Sequence, residues 1–251
     1  LDDDQAVNWL CESIRTANSN IVERAASNPE LRGMGTTMTL AFVRGFNAII
    51  AHVGDSRAYM VDGHTRRITQ ITADHSFVEA LVAAGHLTHE QAEEHPMRNV
   101  LYRALGQNDD VDVDVYEAHL RPSDRIVLCS DGLTRHVKPN EIASITTEDD
   151  DLEVASQALI DLANARGGED NISVIVIAVD GEESDDDTRE LKNMLVLNDS
   201  DLFVREHQID TVEVDAPKEE ELLNLDLSEP VSEKSDAALD GEGRDNLEPD
   251  Q

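Results

Sequence analysis

The sequence predicts an α+β protein with antiparallel strands and helices in separate layers. Three observations carry this. Apolar, strand-like runs follow one another through short turns instead of alternating one-for-one with helices. Amphipathic helical segments stand before, between and after those runs. Three apolar runs also meet an aspartate in a turn, at Gly54-Asp55-Ser56, Ser130-Asp131-Gly132 and Gly167-Gly168-Glu169-Asp170-Asn171.

Residues 3–27 place Val7, Leu10, Ile14, Ala17, Ile21 and Ala25 on one stripe, which predicts a helix ended by Asn28-Pro29. Trp9 beside that stripe reads as core. After Gly33-Met34-Gly35 come four strand segments, Thr36 to Val43, Phe46 to Val53, Arg57 to Val61 and Arg67 to Thr72. Arg44-Gly45, Gly54-Asp55-Ser56 and Asp62-Gly63 turn the chain between them, and together they read as one antiparallel meander. Residues 73–107 change character: Ser76 to Ala84 and Thr88 to His95 predict two short helices separated at Gly85. Val111 to Ala118 alternates as a strand, and Asp124 to Ser130 reads as a buried strand ending in a tight turn. Pro139 to Ile145 predicts a helix with proline in its first turn, and residues 151–166 a second, capped by Gly167-Gly168. Ile172 to Val179 is almost wholly β-branched and reads as buried on both faces.

Composition narrows the function. Residues 181–251 hold 24 Asp and Glu against 6 Lys and Arg, a net of −18 out of −34 for the whole chain. With Phe203 as its only aromatic, that segment predicts disorder, apart from a patch between Leu195 and Val204 that suits a short strand. Such acidity excludes phosphate-backbone binding to nucleic acid and docking on an anionic membrane. No apolar run is long enough to span a membrane. Two cysteines, Cys11 and Cys129, fit a reducing cytoplasm and no disulfide scaffold. The chain starts inside an acidic helical pattern without methionine, which reads as the start of a fragment.

Carboxylate oxygens at strand ends suit hard cations such as Mg²⁺ or Mn²⁺, and the absence of paired His or Cys ligands argues against structural zinc. Ser130 beside Asp131 lacks the Gly-x-Ser-x-Gly surroundings of a nucleophile elbow. His86, His89 and His95 read as surface histidines, Cys129 as core, and Arg57 as a brace of a turn.

Six motifs occur in order: Gly33-Met34-Gly35-Thr36-Thr37, Val53-Gly54-Asp55-Ser56-Arg57-Ala58-Tyr59, Thr72-Ala73-Asp74-His75-Ser76, Leu105-Gly106, Ser130-Asp131-Gly132-Leu133 and Glu169-Asp170-Asn171-Ile172-Ser173-Val174. Over residues 5–180 the chain resembles the metal-dependent serine/threonine protein phosphatases of type 2C in their bacterial form. The resemblance implies an α-β-β-α sandwich of two antiparallel β-sheets flanked by helices, in a domain over residues 1–181 followed by the acidic tail 182–251. It implies hydrolysis of phosphoserine and phosphothreonine by a water activated at a dinuclear Mn²⁺/Mg²⁺ centre, with no protein nucleophile. Asp131 and Asp170 would hold the first metal, and Asp55 with Asp131 a third, weaker one. Residues 74–104 would form a flap, with Asp74, His75, Ser76, Arg98 and Arg103 near the substrate. Phosphoprotein substrates, an opposing kinase and a monomeric, cytoplasmic enzyme are implied as well. The family's Asp-Gly-x-Gly-Gly turn, its phosphate-binding Arg and its acidic pair precede the helix that opens this chain and are not among residues 1–251. The expectation is therefore an N-terminally truncated domain, inactive by itself; the alternative is a pseudophosphatase acting as a binding module. The acidic tail could also serve as a docking or autoinhibitory segment.

Overall fold

The computed structural model describes residues 3–181 and 204–206. The amphipathic stripe predicted over 3–27 forms α1, Asp3–Ser27, which buries Ala6, Val7, Leu10, Cys11 and Ile14. A 3₁₀ turn, Pro29–Leu31, follows and is capped by the Asn28 side chain. The strands come next: β1 (Met38–Arg44), β2 (Asn47–Val53), β3 (Arg57–Val61) and β4 (Ile68–Gln70). Helices α2 (Phe77–Ala83) and α3 (His89–Glu93) interrupt them, capped by Ser76 and Thr88 respectively. Then come β5 (Asp114–His119), β6 (Arg125–Cys129), α4 (Asp131–Thr134), α5 (Pro139–Glu148), α6 (Leu152–Ala165), β7 (Val174–Ala178) and β8 (Val204–Glu206).

Among the described residues two four-stranded antiparallel sheets result, in the orders β1-β2-β5-β8 and β4-β3-β6-β7. The two-residue period of the strands sorts their side chains into three cores. Ile49, Ala51, Val53 and Val115 point outward to α1. Ala48, Ile50, Ala58, Met60, Tyr116, Ala118, Ile126 and Leu128 form a middle core. Tyr59, Val61, Val127 and Cys129 point to the other outside, against Leu133, Val137, Ile142 and Leu159 of the α4–α6 region. Each fully buried aliphatic side chain of this kind contributes about 1.5–3 kcal/mol. The layers are helix, sheet, sheet, helix, the sandwich that the resemblance implies.

Four expectations are corrected. The strand segments between 36 and 72 are not one meander: β1-β2 belongs to one sheet and β3-β4 to the other. Both hairpins are as read, but the turn at Gly54-Asp55-Ser56 is a corner between sheets, because β2 finds its second neighbour in β5 and β3 in β6. Ile172 to Val179 is not buried on both faces. Among the described residues β7 is the last strand of its sheet, and Ile175 is 57 % exposed. Trp9 is also 57 % exposed, because α1 buries the Ala6, Val7, Leu10 and Cys11 side of the helix instead. The tight turn at Asp131-Gly132 is instead a one-turn helix, α4, with Asp131 in its first position.

Residues 182–203 and 207–251, where composition predicts disorder, lie outside the described residues. Val204–Glu206 pairs antiparallel with β5. No helix of the described residues is long and apolar enough to cross a membrane.

Candidate active site

The antiparallel pair β6-β7 aligns Cys129 with Val174, so Asp131 and Asp170 leave the same end of the sheet. Ser130 fastens their two loops together. Its hydroxyl donates to the Asn171 carbonyl (3.0 Å) and accepts from the Ser173 amide (3.0 Å), and its own amide donates to the Ser173 carbonyl (3.1 Å). Gly132 permits this approach, since a Cβ there would stand 2.5 Å from the Asn171 oxygen. Ser130 is thereby committed to holding the loops in register.

Arg135 closes the arrangement. It follows α4 one turn after Asp131, and its Nη2 meets Asp131 Oδ2 while its Nη1 donates to Asp170 Oδ2 at 3.2 Å. The other Asp170 oxygen accepts the Asn171 amide at 2.7 Å. One guanidinium therefore sits between the two carboxylates. Asp55, at the corner between sheets, faces the same group of charges. Burial, then the Asp131 and Asp74 carboxylates, push its carboxyl up to about 6, against the opposing pull of its own amide and of Arg135.

The corner itself is tightly built. Gly54 has φ +117°, in the region that favours glycine, and a Cβ would lie 2.3 Å from Thr37 Cγ2. Thr37 and Ser56 share a hydroxyl hydrogen bond of 2.9 Å, and the Thr39 hydroxyl donates to the Ser56 carbonyl. His75 clamps the corner from the flap side. The Gly54 amide donates to His75 Nδ1 (3.0 Å), and the His75 amide donates to the Gly54 carbonyl (2.7 Å). With Nδ1 accepting, the ring proton lies on Nε2 and donates to Asp114 Oδ2 at 2.9 Å. Arg103 Nη1 holds the other Asp114 oxygen at 2.5 Å. Burial pushes the Asp114 carboxyl up, but the His75 and Arg103 contacts outweigh it and bring it down to about 2.

The sequence-predicted residues therefore divide. Asp131 and Asp170 converge, and Asp55 lies within electrostatic reach of Asp131. Asp74 faces Asp55, but its carboxylate is occupied by Arg57, through Nε at 2.9 and 3.0 Å and Nη2 at 2.7 Å. Arg57 braces the turn, as the sequence reading has it; burial lowers its affinity for a proton, and Asp74 more than restores it. His75 and Arg103 build the Asp114 cluster, Ser76 caps α2, and Arg98 is exposed. Sequence reasoning missed Arg135, Asp114 and His52. His52 is fully buried, and burial first, then the neighbouring His75, push its pKa down to about 3.

Among the described residues no three His, Cys, Asp or Glu side chains form a complete metal-ligand set. The donor chemistry nevertheless suits a cation, because two carboxylates already converge on one positive charge and a third stands near. A hard divalent ion favours such all-oxygen donors.

A family profile described as protein phosphatase 2C matches residues 1–165. A serine/threonine phosphatase of Listeria monocytogenes is 41 % identical over 172 residues, covering 68 % of this chain and 68 % of that protein. The crystal structure of a serine/threonine phosphatase from Staphylococcus aureus superposes with a TM-score of 0.69 at 39 % identity, over 72 % of this chain and 70 % of that one. A catalytic domain of the phosphatase PstP, in complex with two manganese ions, superposes with a TM-score of 0.62 at 34 % identity, over 68 % and 70 % of the two chains.

Proposed function

The chain belongs to the protein phosphatase 2C family, and from that premise we propose that it serves as a metal-dependent phosphoserine and phosphothreonine phosphatase. The observation that carries this reading is the convergence of Asp131 and Asp170 on one cation, with Ser130 fixing the spacing of their loops. Asp131 and Asp170 would hold one Mn²⁺ or Mg²⁺ ion, and Asp55 with Asp131 a further, weaker one. When bound, such ions supply Lewis-acid activation of the phosphoryl group and of the attacking water.

The protein's own residues supply position and charge balance. A phosphate monoester dianion approaching a chain of net charge −34 meets repulsion, most of all at three clustered carboxylates. The site must therefore carry bound cations before it can accept substrate. Gly54, Thr37 and Ser56 fix where Asp55 points, and the Asp114-His75 pair holds that corner to the base of the flap. Arg98, exposed on the flap, is free to meet the phosphosubstrate and sets its approach. Residues 1–181 carry the site, and the acidic remainder, 182–251, adds the strand Val204–Glu206 beside β5. The substrates are phosphoproteins modified by a serine/threonine kinase, and the protein acts as a monomer in the cytoplasm. Its two buried free cysteines suit that reducing compartment.

The test is hydrolysis of a phosphothreonine peptide in Mn²⁺ by the gene product as the cell makes it, with Asp131→Ala and Asp170→Ala beside it. Each substitution should lower kcat/KM at least a hundredfold and abolish tight Mn²⁺ binding. Unchanged turnover in either variant would refute the assignment.

A further inference from the structure

Arg135 bears on how the site is loaded. Its guanidinium contacts both Asp131 and Asp170, the two carboxylates assigned to the first metal. The side chain is only partly exposed, at 25 %. It hangs from the end of a one-turn helix, so a change of side-chain rotamer is enough to move it without disturbing a core element. The two loops are already fastened by Ser130 and the Gly132 close approach, so Arg135 is not needed to bring the carboxylates together. What it does is offset part of their charge, one positive group against two negative ones.

We propose that Arg135 is a built-in counter-cation of the metal site: it occupies the space between Asp131 and Asp170 when metal is absent and is displaced when metal binds. This rests on the metal-site reading above and adds to it. Loading becomes an exchange of one cation for another, not simple binding to bare carboxylates. The exchange has two effects on this chain. It weakens the net affinity for metal, because the two charge-assisted contacts must be broken first. It also spares the metal-free protein the repulsion of uncompensated neighbouring carboxylates. Affinity is thereby traded for stability of the metal-free form, so the site fills only above a threshold metal concentration. Displacement also releases the guanidinium to solvent beside the site.

Titration of the full chain with Mn²⁺ alone, followed by calorimetry or by the free-ion spin-resonance signal, tests this without reference to turnover. The acidic segment 182–251 also attracts Mn²⁺, and the Asp131→Asn/Asp170→Asn protein supplies that background. Relative to wild type, Arg135→Gln should bind Mn²⁺ about five- to tenfold more tightly, as expected for removal of a partly exposed ion-pair competitor. Arg135→Lys should fall between them, because an ammonium lacks the fork that reaches both carboxylates. The metal-free Arg135→Gln protein should melt below wild type, and the Mn²⁺-saturated forms should melt together. Equal or weaker Mn²⁺ affinity in Arg135→Gln overturns the exchange. Binding by the Asp131→Asn/Asp170→Asn protein that equals wild type overturns the metal-site reading itself, and the inference with it.

Discussion

Two buried titratable groups in this fold pull stability in opposite directions over the same pH range. His52 is held neutral, with its pKa down at about 3, so acidification protonates the unfolded chain first and destabilises the fold as pH falls from about 6.5 towards 3. Asp55 is held protonated, with its pKa up at about 6. Its contribution is present below the unfolded carboxyl value and is lost as pH rises through 6. Worked through linkage, moving from pH 6 to pH 4 removes ~2.5 kcal/mol through His52. The same move restores ~1.5–2 kcal/mol through Asp55, once partial exposure of that side chain is discounted. The metal-free wild type should therefore be nearly flat in this window with respect to these two groups. Asp114, down at about 2, adds its acid sensitivity mainly below pH 4. The perturbation is His52→Gln, whose amide can still donate to the Ala73 carbonyl that His52 Nε2 contacts at 3.1 Å, together with Asp55→Asn and the double variant. Urea unfolding in chelator at pH 6 and pH 4 is the assay, read as the difference in slope from wild type. On acidification His52→Gln should gain stability relative to wild type by ~2.5 kcal/mol, and Asp55→Asn should lose ~1.5–2 kcal/mol, with the double variant close to wild type. Parallel slopes in wild type and His52→Gln would refute the claim that His52 is folded in its neutral form.

Arg57→Met strands the Asp74 carboxylate, whose side chain is 10 % exposed, and should cost about 3 kcal/mol in urea unfolding, as breaking one side of a buried ion pair does. Gly54→Ala combines a positive φ with a Cβ 2.3 Å from Thr37 Cγ2, and should cost about 3 kcal/mol by thermal unfolding. Adding Thr37→Gly should recover part of that loss, and purely additive effects would show that the clash is not the cause. Trp9→Ser should change stability by no more than about 0.5 kcal/mol, because the ring is 57 % exposed; a larger loss would place Trp9 against an unseen partner.

The layers of the fold were legible because strand alternation is a local signal. Ile49, Ala51 and Val53 separate from Ala48 and Ile50 by position alone. Which sheet a strand joins is not local. The Gly54-Asp55-Ser56 turn looks like its neighbours in sequence, yet it crosses between sheets because β5 and β6, far later in the chain, supply the partners. Trp9 and Ile175 were misread for a related reason: apolarity marks a residue as suited to a core without saying whether another element arrives to cover it.

The acids of the site were legible because three aspartates in turns beside apolar runs reinforce each other, although any one aspartate in such a turn is a common structural residue. Their cationic counterpart was not. Arg135 is four residues after Asp131, the spacing at which helical side chains meet, but only if a helix starts at Asp131. Read as a tight turn, the same segment sends Arg135 elsewhere. That one turn of helix decides the electrostatics of the site. With it, Asp131 and Asp170 share a positive charge in the metal-free chain. Without it, two clustered carboxylates in a protein of net charge −34 would have to be separated or protonated. The fold of α4 and the partial charge compensation of the site are thus one event, and changes that unwind α4 should disturb metal loading even where they leave Asp131 and Asp170 in place.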